Sequence, residues 1–166
     1  MGRTFVAAVA AALLVVAPAA AQPSAPASWA QPQIRLVTSH GLMGTDPSAR
    51  AFRPDDPLTA SELAELLNGL TGQVPAVPAD PSATVTLAGF DAQLVRALGL
   101  GDAARRFTAG ARAAGLTPPT RFGSEVVARL LGLRYNHPAA QDSLELEPND
   151  PITRAEAAYS AARASS

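Results

Sequence analysis

The chain has 166 residues, a length typical of one domain. Hydrophobic residues make up 48% of it and charged residues 16%, and because much of the apolar content is alanine we expect a thin, helical core. The basic residues are all arginine and are spread along the chain, and the net charge is -1, which gives no indication of nucleic-acid binding. The absence of cysteine excludes disulfides, thiolate metal sites, a cysteine nucleophile and a lipidated cysteine.

The amino terminus has the three parts of a secretory signal peptide, which are the cation Arg3, the apolar run Phe5–Ala17 and the small residues Ala19-Ala20-Ala21. The apolar run is shorter than the roughly 20 residues that a membrane span requires. We therefore predict that residues 1–21 are a signal peptide and residues 22–27 a flexible lead. The mature protein is then secreted to the cell wall or cell surface without a membrane partner, and an uncleaved anchor is the alternative.

The first repeat unit is predicted at residues 28–72. Its first helix begins near Trp29 and ends at Gly41, which is followed by a leucine as in a left-handed helix cap. The apolar residues of this helix recur at helical spacing: Ala30, Ile34 and Val37. A proline- and aspartate-rich loop without regular structure follows, tied to the core by Phe52.

The second helix of this unit begins with a capping box, in which Thr59 caps the helix and Glu62 bonds back to the cap. Residues 73–84 read as a proline-rich linker. Residues 85–166 then carry two further, degenerate copies. The middle copy keeps the threonine at Thr86 but has Gly89 in place of the capping glutamate.

The last copy carries the fullest helix start, Thr153-Arg154-Ala155-Glu156. Before it, a helix with Phe107, Ala111 and Ala114 on one face is interpreted as the counterpart of the first helix, and a helix containing Phe122, Val126 and Leu130 as an element with no counterpart. The sequence therefore predicts an all-α fold of repeated helix–loop–helix hairpins, packed as a small helical bundle with one degenerate repeat.

This pattern resembles the S-layer homology family, whose repeat combines an aromatic-containing helix, a glycine turn, a Phe-x-Pro loop and a Thr-Arg-Ala-Glu helix start. The matching segments lie at both ends of the mature chain: Trp29-Ala30, Gly41, Phe52-Arg53-Pro54 and Leu58-Thr59 in the first copy, and Leu146-Glu147-Pro148 and Ile152–Glu156 in the last. The resemblance implies three repeats about a pseudo-threefold axis. It also implies a non-catalytic module that binds secondary cell-wall polymer or peptidoglycan-linked glycan without a cofactor or metal.

Carried over from the family, the implied glycan-binding residues are Arg154 and Trp29, with Gly41 as a point of backbone approach and Thr153 and Glu156 beside the arginine. Ala60 and Leu87 stand where the other two copies would need an arginine, so at most one of three pockets keeps its cation.

Arg154 also stands out on physical grounds, because a cation in the first turn opposes the helix dipole and needs another partner. An anionic ligand at the helix start is one partner, and an ion pair with Asp150 or Glu147 is the alternative. Trp29 is expected to serve the core at least in part. Thr153 and Glu156 also fit a simple capping role.

Motifs of catalysis and metal binding are not found in the sequence. His40 and His137 are the only histidines, and both are interpreted as surface turn residues without metal-ligand spacing. No Gly-x-Ser-x-Gly nucleophile elbow occurs. Two alternatives to the glycan-binding anchor stay open: the targeting part of a cell-wall hydrolase, such as a papain-like peptidoglycan endopeptidase whose catalytic domain lies outside this chain, and a scaffold that has lost wall binding.

Overall fold

The computed structural model describes residues 27–74 and 76–166, and this part of the chain is all-α, as predicted, with no regular strand. The predicted signal peptide and residues 22–26 of the predicted lead lie outside it. The α-helices are α1 Gln31–Ser39, α2 Ala49–Phe52, α3 Ala60–Thr71, α4 Leu87–Ala97, α5 Gly101–Ala113, α6 Phe122–Leu130 and α7 Arg154–Ala164, and a 3-10 helix spans Ala139–Leu144.

Three helices, α3, α4 and α7, begin in the same way. Each has a threonine cap whose hydroxyl oxygen accepts the backbone N–H of the third helical residue, and the caps are Thr59, Thr86 and Thr153. Such a bond satisfies one of the N–H groups that every helix start leaves without a partner. The predicted helix starts are therefore confirmed at the level of individual hydrogen bonds.

The buried residues that precede these caps form a closed ring of backbone hydrogen bonds. Leu58 donates to Ile152 O (2.9 Å), Ile152 donates to Val85 O (2.9 Å), and Val85 donates to Leu58 O (3.0 Å). Because each residue is both donor and acceptor, none of the three helix starts can shift without breaking bonds to the other two.

A second layer of bonds uses the first two N–H groups of each helix. The second helical residue donates to a proline carbonyl in every case: Ala155 to Pro54 (2.8 Å), Ser61 to Pro81 (3.0 Å) and Ala88 to Pro148 (2.9 Å). Pro81 lies in the stretch interpreted as a linker, so this segment takes part in the same network as the loops that supply Pro54 and Pro148.

The core lies between these helices and α1, which packs on α7. Its largest fully buried side chains include Phe52, Phe90, Ile34, Leu63 and Leu94, and burial of Phe52 confirms its predicted role. The loop before Phe52 is not wholly irregular, however, because Ala49–Phe52 forms the short helix α2. Ser48 caps this turn by accepting the Ala51 N–H, and the flanking prolines lie outside it.

The assignment of α5 as the counterpart of α1 was wrong. Both α1 and α6 end in a left-handed glycine followed by a buried leucine, Leu42 and Leu133. Moreover, α6 packs on α4 as α1 packs on α7, whereas α5 has no buried residue and packs mainly on α6. Leu116 closes α5 with the same backbone bond but is 62% exposed. The sequence pattern misled because alanine occupies buried and exposed helix faces alike.

Candidate functional site

An aromatic cluster surrounds Trp29, just before α1. The Trp29 and Tyr135 rings are stacked, with centroids 4.5 Å apart and planes at 19°. His137 meets both rings edge-on at 4.8 Å, and Tyr159 of α7 lies 5.1 Å from Tyr135. Trp29 is half-buried and packs against the core, so part of the residue remains accessible to solvent.

His137 is not the surface turn residue that the sequence suggested, because only 1% of its side chain is exposed. Its Nε2 atom lies 2.7 Å from Glu156 Oε1, on the first turn of α7. Burial raises the pKa of the Glu156 carboxyl, and the hydrogen bond from His137 opposes that rise. The pair therefore gives the aromatic cluster a buried polar anchor on α7.

A groove of about 570 Å³ opens beside Trp29. The loop that follows α2 forms one wall and the 3-10 helix the other, and the polar lining consists of Ser28, Arg50, Arg53, Asp55, Asp56 and Gln141. Arg53 pairs with Asp56 and has a left-handed backbone (φ 52°), which is unusual for a residue other than glycine. The groove thus combines an aromatic edge with both donors and acceptors of hydrogen bonds.

Arg154 lies against the core side of the same loop. Its Nε donates to the Phe52 carbonyl (2.7 Å), its guanidinium pairs with Glu62 of α3, and its Cζ lies 4.9 Å from the centroid of the Phe52 ring. The ion pair is therefore not made with Asp150 or Glu147. Only 13% of the Arg154 side chain is exposed.

The start of α7 is also occupied by the chain itself. The Arg154 N–H donates to Asp56 O (2.9 Å), the Ala155 N–H to Pro54 O (2.8 Å), and the Glu156 N–H to Thr153 Oγ1 (3.2 Å). Thr153 therefore acts as a cap. The Glu156 carboxylate does not complete a capping box, since it is bonded to His137 instead.

Gly41 is exposed and left-handed (φ 68°), and it follows the end of α1 that lies away from Trp29. A nine-residue helix is about 14 Å long, so the two residues do not share a site. The structure brings Trp29 and Glu156 together through His137. It places Arg154 behind the groove, where it holds Phe52, the neighbour of the groove residue Arg53.

The residues that sequence reasoning missed are Tyr135, His137 and Tyr159 in the cluster and Arg50 and Arg53 in the groove. Tyr135 and Trp29 are 106 positions apart, and no periodic pattern links them. The Phe-x-Pro loop did include Arg53, but only as a spacer. A second buried pair was also missed, because Arg134 Nε donates to Asp91 (2.7 Å) across 43 positions.

Comparison with models of known families, with curated proteins and with solved structures found no match to this chain. Among residues 27–74 and 76–166, no helix has the length and apolar character needed to cross a membrane. The same residues contain no group of three or more His, Cys, Asp or Glu side chains placed to hold a metal ion.

Proposed function

We propose that the chain is a non-catalytic, secreted module that binds cell-wall polysaccharide or peptidoglycan-linked glycan in the groove beside Trp29, and so anchors a protein at the bacterial surface. The observation that carries this proposal is the half-buried Trp29 ring at the edge of a groove lined by arginine and aspartate side chains.

The chemistry of the groove suits a sugar chain. A pyranose ring has an apolar face that packs on an aromatic ring, and hydroxyl groups that both donate and accept hydrogen bonds. Asp55 accepts from hydroxyls, Arg50 donates to them, and Gln141 does both. Because Tyr135 stacks on Trp29, the ring is already ordered before a ligand arrives, which lowers the entropic cost of binding.

Arg154 acts in this proposal as a positioning residue. Its guanidinium holds the Phe52 carbonyl and the Glu62 carboxylate, and the loop that begins at Phe52 supplies Arg53, Asp55 and Asp56 to the groove. The resemblance to S-layer homology modules agrees with a wall ligand, although it places the arginine itself in contact with the glycan.

A scaffold without wall binding is the second candidate. It is favoured by the same contacts of Arg154, since both the guanidinium and the N–H groups at the start of α7 are satisfied within the chain. The two proposals differ in what the groove beside Trp29 does when a wall glycan is present.

Co-sedimentation of the purified chain with cell-wall sacculi, before and after removal of secondary polymers, tests the proposal. The informative variants are Arg50→Gln and Asp55→Asn, because both side chains line the groove and both residues are exposed. Arg35→Gln on the exposed face of α1 is the matched control. Retention that falls about tenfold in the groove variants and is unchanged in the control supports glycan binding.

Absence of retention by the unaltered chain on both kinds of sacculi would reject the anchor and leave the scaffold. Equal retention of all variants would place binding outside the groove. The thermal midpoint of each variant distinguishes a loss of sacculus binding from a loss of folding.

A further inference from the structure

Positive charge is concentrated in one part of the chain. Residues 96–129 contain six of the 13 arginines and only two of the 14 acidic residues, so this segment carries +4 in a chain of net charge -1. The even spread expected from the sequence does not hold here. Both acids are already paired, Asp102 with Arg105 and Glu125 with Arg121 and Arg134.

Three of these arginines line one trench of about 490 Å³ between α4, α5 and α6. Arg96 comes from α4, and Arg105 and Arg112 come from α5. The latter two are seven residues apart, which is about 10 Å along one face of a helix. No acidic side chain lines this trench, which shares no residue with the groove beside Trp29.

The trench owes its shape to a close crossing of α5 and α6. Gly123 lies directly against the Ala104 carbonyl, where a side chain would collide. Hydroxyl groups add to the lining here, from Thr108, Thr120 and Ser124. The Thr108 and Ser124 hydroxyls donate to the carbonyls of Ala104 and Arg121, so the donors left for an anion on these walls are chiefly the arginine side chains.

We infer that this trench is a second binding site, and that it takes an extended polyanion carrying phosphate or carboxylate groups along its length. Guanidinium groups bind both anions through paired hydrogen bonds. Arg105 and Arg112 are spaced over about 10 Å on one wall, and Arg96 lies on the other. This spacing suits a polymer that carries several negative charges better than it suits a single small anion. Neither the Trp29 groove nor glycan binding there is needed for this inference.

An anionic membrane surface fits the same charges less well. A helix that lies on a bilayer presents large apolar side chains beside its cations. The exposed large apolar side chain of α5, Phe107, lies outside the trench, whereas Arg105 and Arg112 lie on the walls of this concave site. A flexible chain can enter such a trench, whereas a flat surface cannot.

The test is direct binding of the full chain to long-chain inorganic polyphosphate and to polygalacturonate, with neutral dextran as the uncharged comparison. The two anionic polymers distinguish a phosphate from a carboxylate ligand. The informative variant is the double substitution Arg96→Gln with Arg112→Gln. The control is Arg35→Gln with Arg163→Gln, which removes the same charge from exposed positions outside the trench.

We expect at least one of the two polymers to bind the trench variant about tenfold more weakly than it binds the unaltered chain. The affinity of the same polymer for the control variant should stay within about twofold of its affinity for the unaltered chain. Binding should also weaken with added salt. Tripolyphosphate, which is too short to span the arginines, should bind far less tightly than the polymer.

Several results would overturn the inference: no binding to either polymer, equal losses in the two double variants, equal affinity for tripolyphosphate, or binding to anionic vesicles alone. The Arg50→Gln variant separates the two sites. If this variant no longer sediments with sacculi but still binds polyanion, both proposals stand. If the unaltered chain does not sediment with sacculi while its polyanion binding depends on the trench arginines, only the glycan proposal fails.

Discussion

The imidazole of His137 and the carboxylate of Glu156 form a buried pair, with Nε2 and Oε1 2.7 Å apart. His137 belongs to the segment after α6, whereas Glu156 lies on the first turn of α7. Because His137 also touches the rings of Trp29 and Tyr135, this single contact fixes the aromatic cluster relative to α7. The position of Trp29 at its groove therefore depends on a polar interaction that is largely shielded from solvent.

Replacing His137 with alanine should lower the free energy of unfolding by about 2 to 4 kcal/mol. The change removes packing from the aromatic cluster and leaves the Glu156 carboxylate buried without this partner. Urea denaturation monitored by the fluorescence of Trp29, the only tryptophan in the chain, measures the effect. His40→Ala is the control, since His40 is exposed at the end of α1 and should change stability by less than about 0.5 kcal/mol. Equal effects at the two histidines would contradict the buried role of His137.

The local part of the fold could be predicted from sequence because its signals lie within a few residues. Each threonine cap bonds an N–H three positions away, and the Gly41-Leu42 cap reaches back only to Val37. These patterns are set by backbone geometry and do not depend on what packs against the helix.

The tertiary part could not be predicted in the same way. Arg154 pairs with Glu62 across 92 positions, whereas sequence proximity had suggested Asp150 or Glu147. His137 precedes a proline and so looked like a turn residue, yet the surrounding rings bury it. In both cases the partner is chosen by the packing of helices that are distant in sequence, and residue spacing carries no information about it.

Asp91 should make the protein less stable as the pH rises from about 4 to about 6. Burial raises the pKa of the Asp91 carboxyl to about 6, although the hydrogen bond and charge of Arg134 oppose the shift. Over this range the folded state holds a proton that the unfolded state has released, so the free energy of unfolding falls as the pH rises, by about 2 kcal/mol between about pH 4 and about pH 6. Above about pH 7 the carboxyl is ionised in both states and the contribution is constant.

The Asp91→Asn variant tests this directly, because asparagine cannot titrate. Urea denaturation at several pH values between 4 and 7 should give a shallower fall in stability for the variant than for the unaltered chain. Asp142→Asn, at an exposed position in the 3-10 helix, should leave the pH profile as it is. A profile that is identical for all three proteins would show that Asp91 does not titrate in this range.

Arg154→Ala should cost about 2 kcal/mol of stability, because it leaves the Phe52 carbonyl and the Glu62 carboxylate without their shared donor. Arg154→Lys should restore only part of the loss, since an ammonium group cannot reproduce the planar geometry that serves both acceptors. Arg163→Ala, exposed at the end of the same helix, is the control. If Arg154→Ala removes wall retention while the thermal midpoint is unchanged, Arg154 is a direct glycan contact and the positioning role is wrong.

Gly123→Ala should separate α5 from α6. A Cβ atom at this position would overlap the Ala104 carbonyl and lie 2.7 Å from the Thr108 hydroxyl, so the helices must move apart. Overpacking of this kind typically costs about 1 to 3 kcal/mol, and it should also weaken polyanion binding, because Ala104, Thr108 and Gly123 all line the trench. Gly110→Ala in α5 is the matched control: a Cβ there meets nothing within 4 Å, and the higher helix propensity of alanine should stabilise the protein by up to about 1 kcal/mol. Urea denaturation of the two variants should therefore give shifts of opposite sign, and a shift of the same sign and size in both would show that the close crossing at Gly123 does not hold the hairpin together.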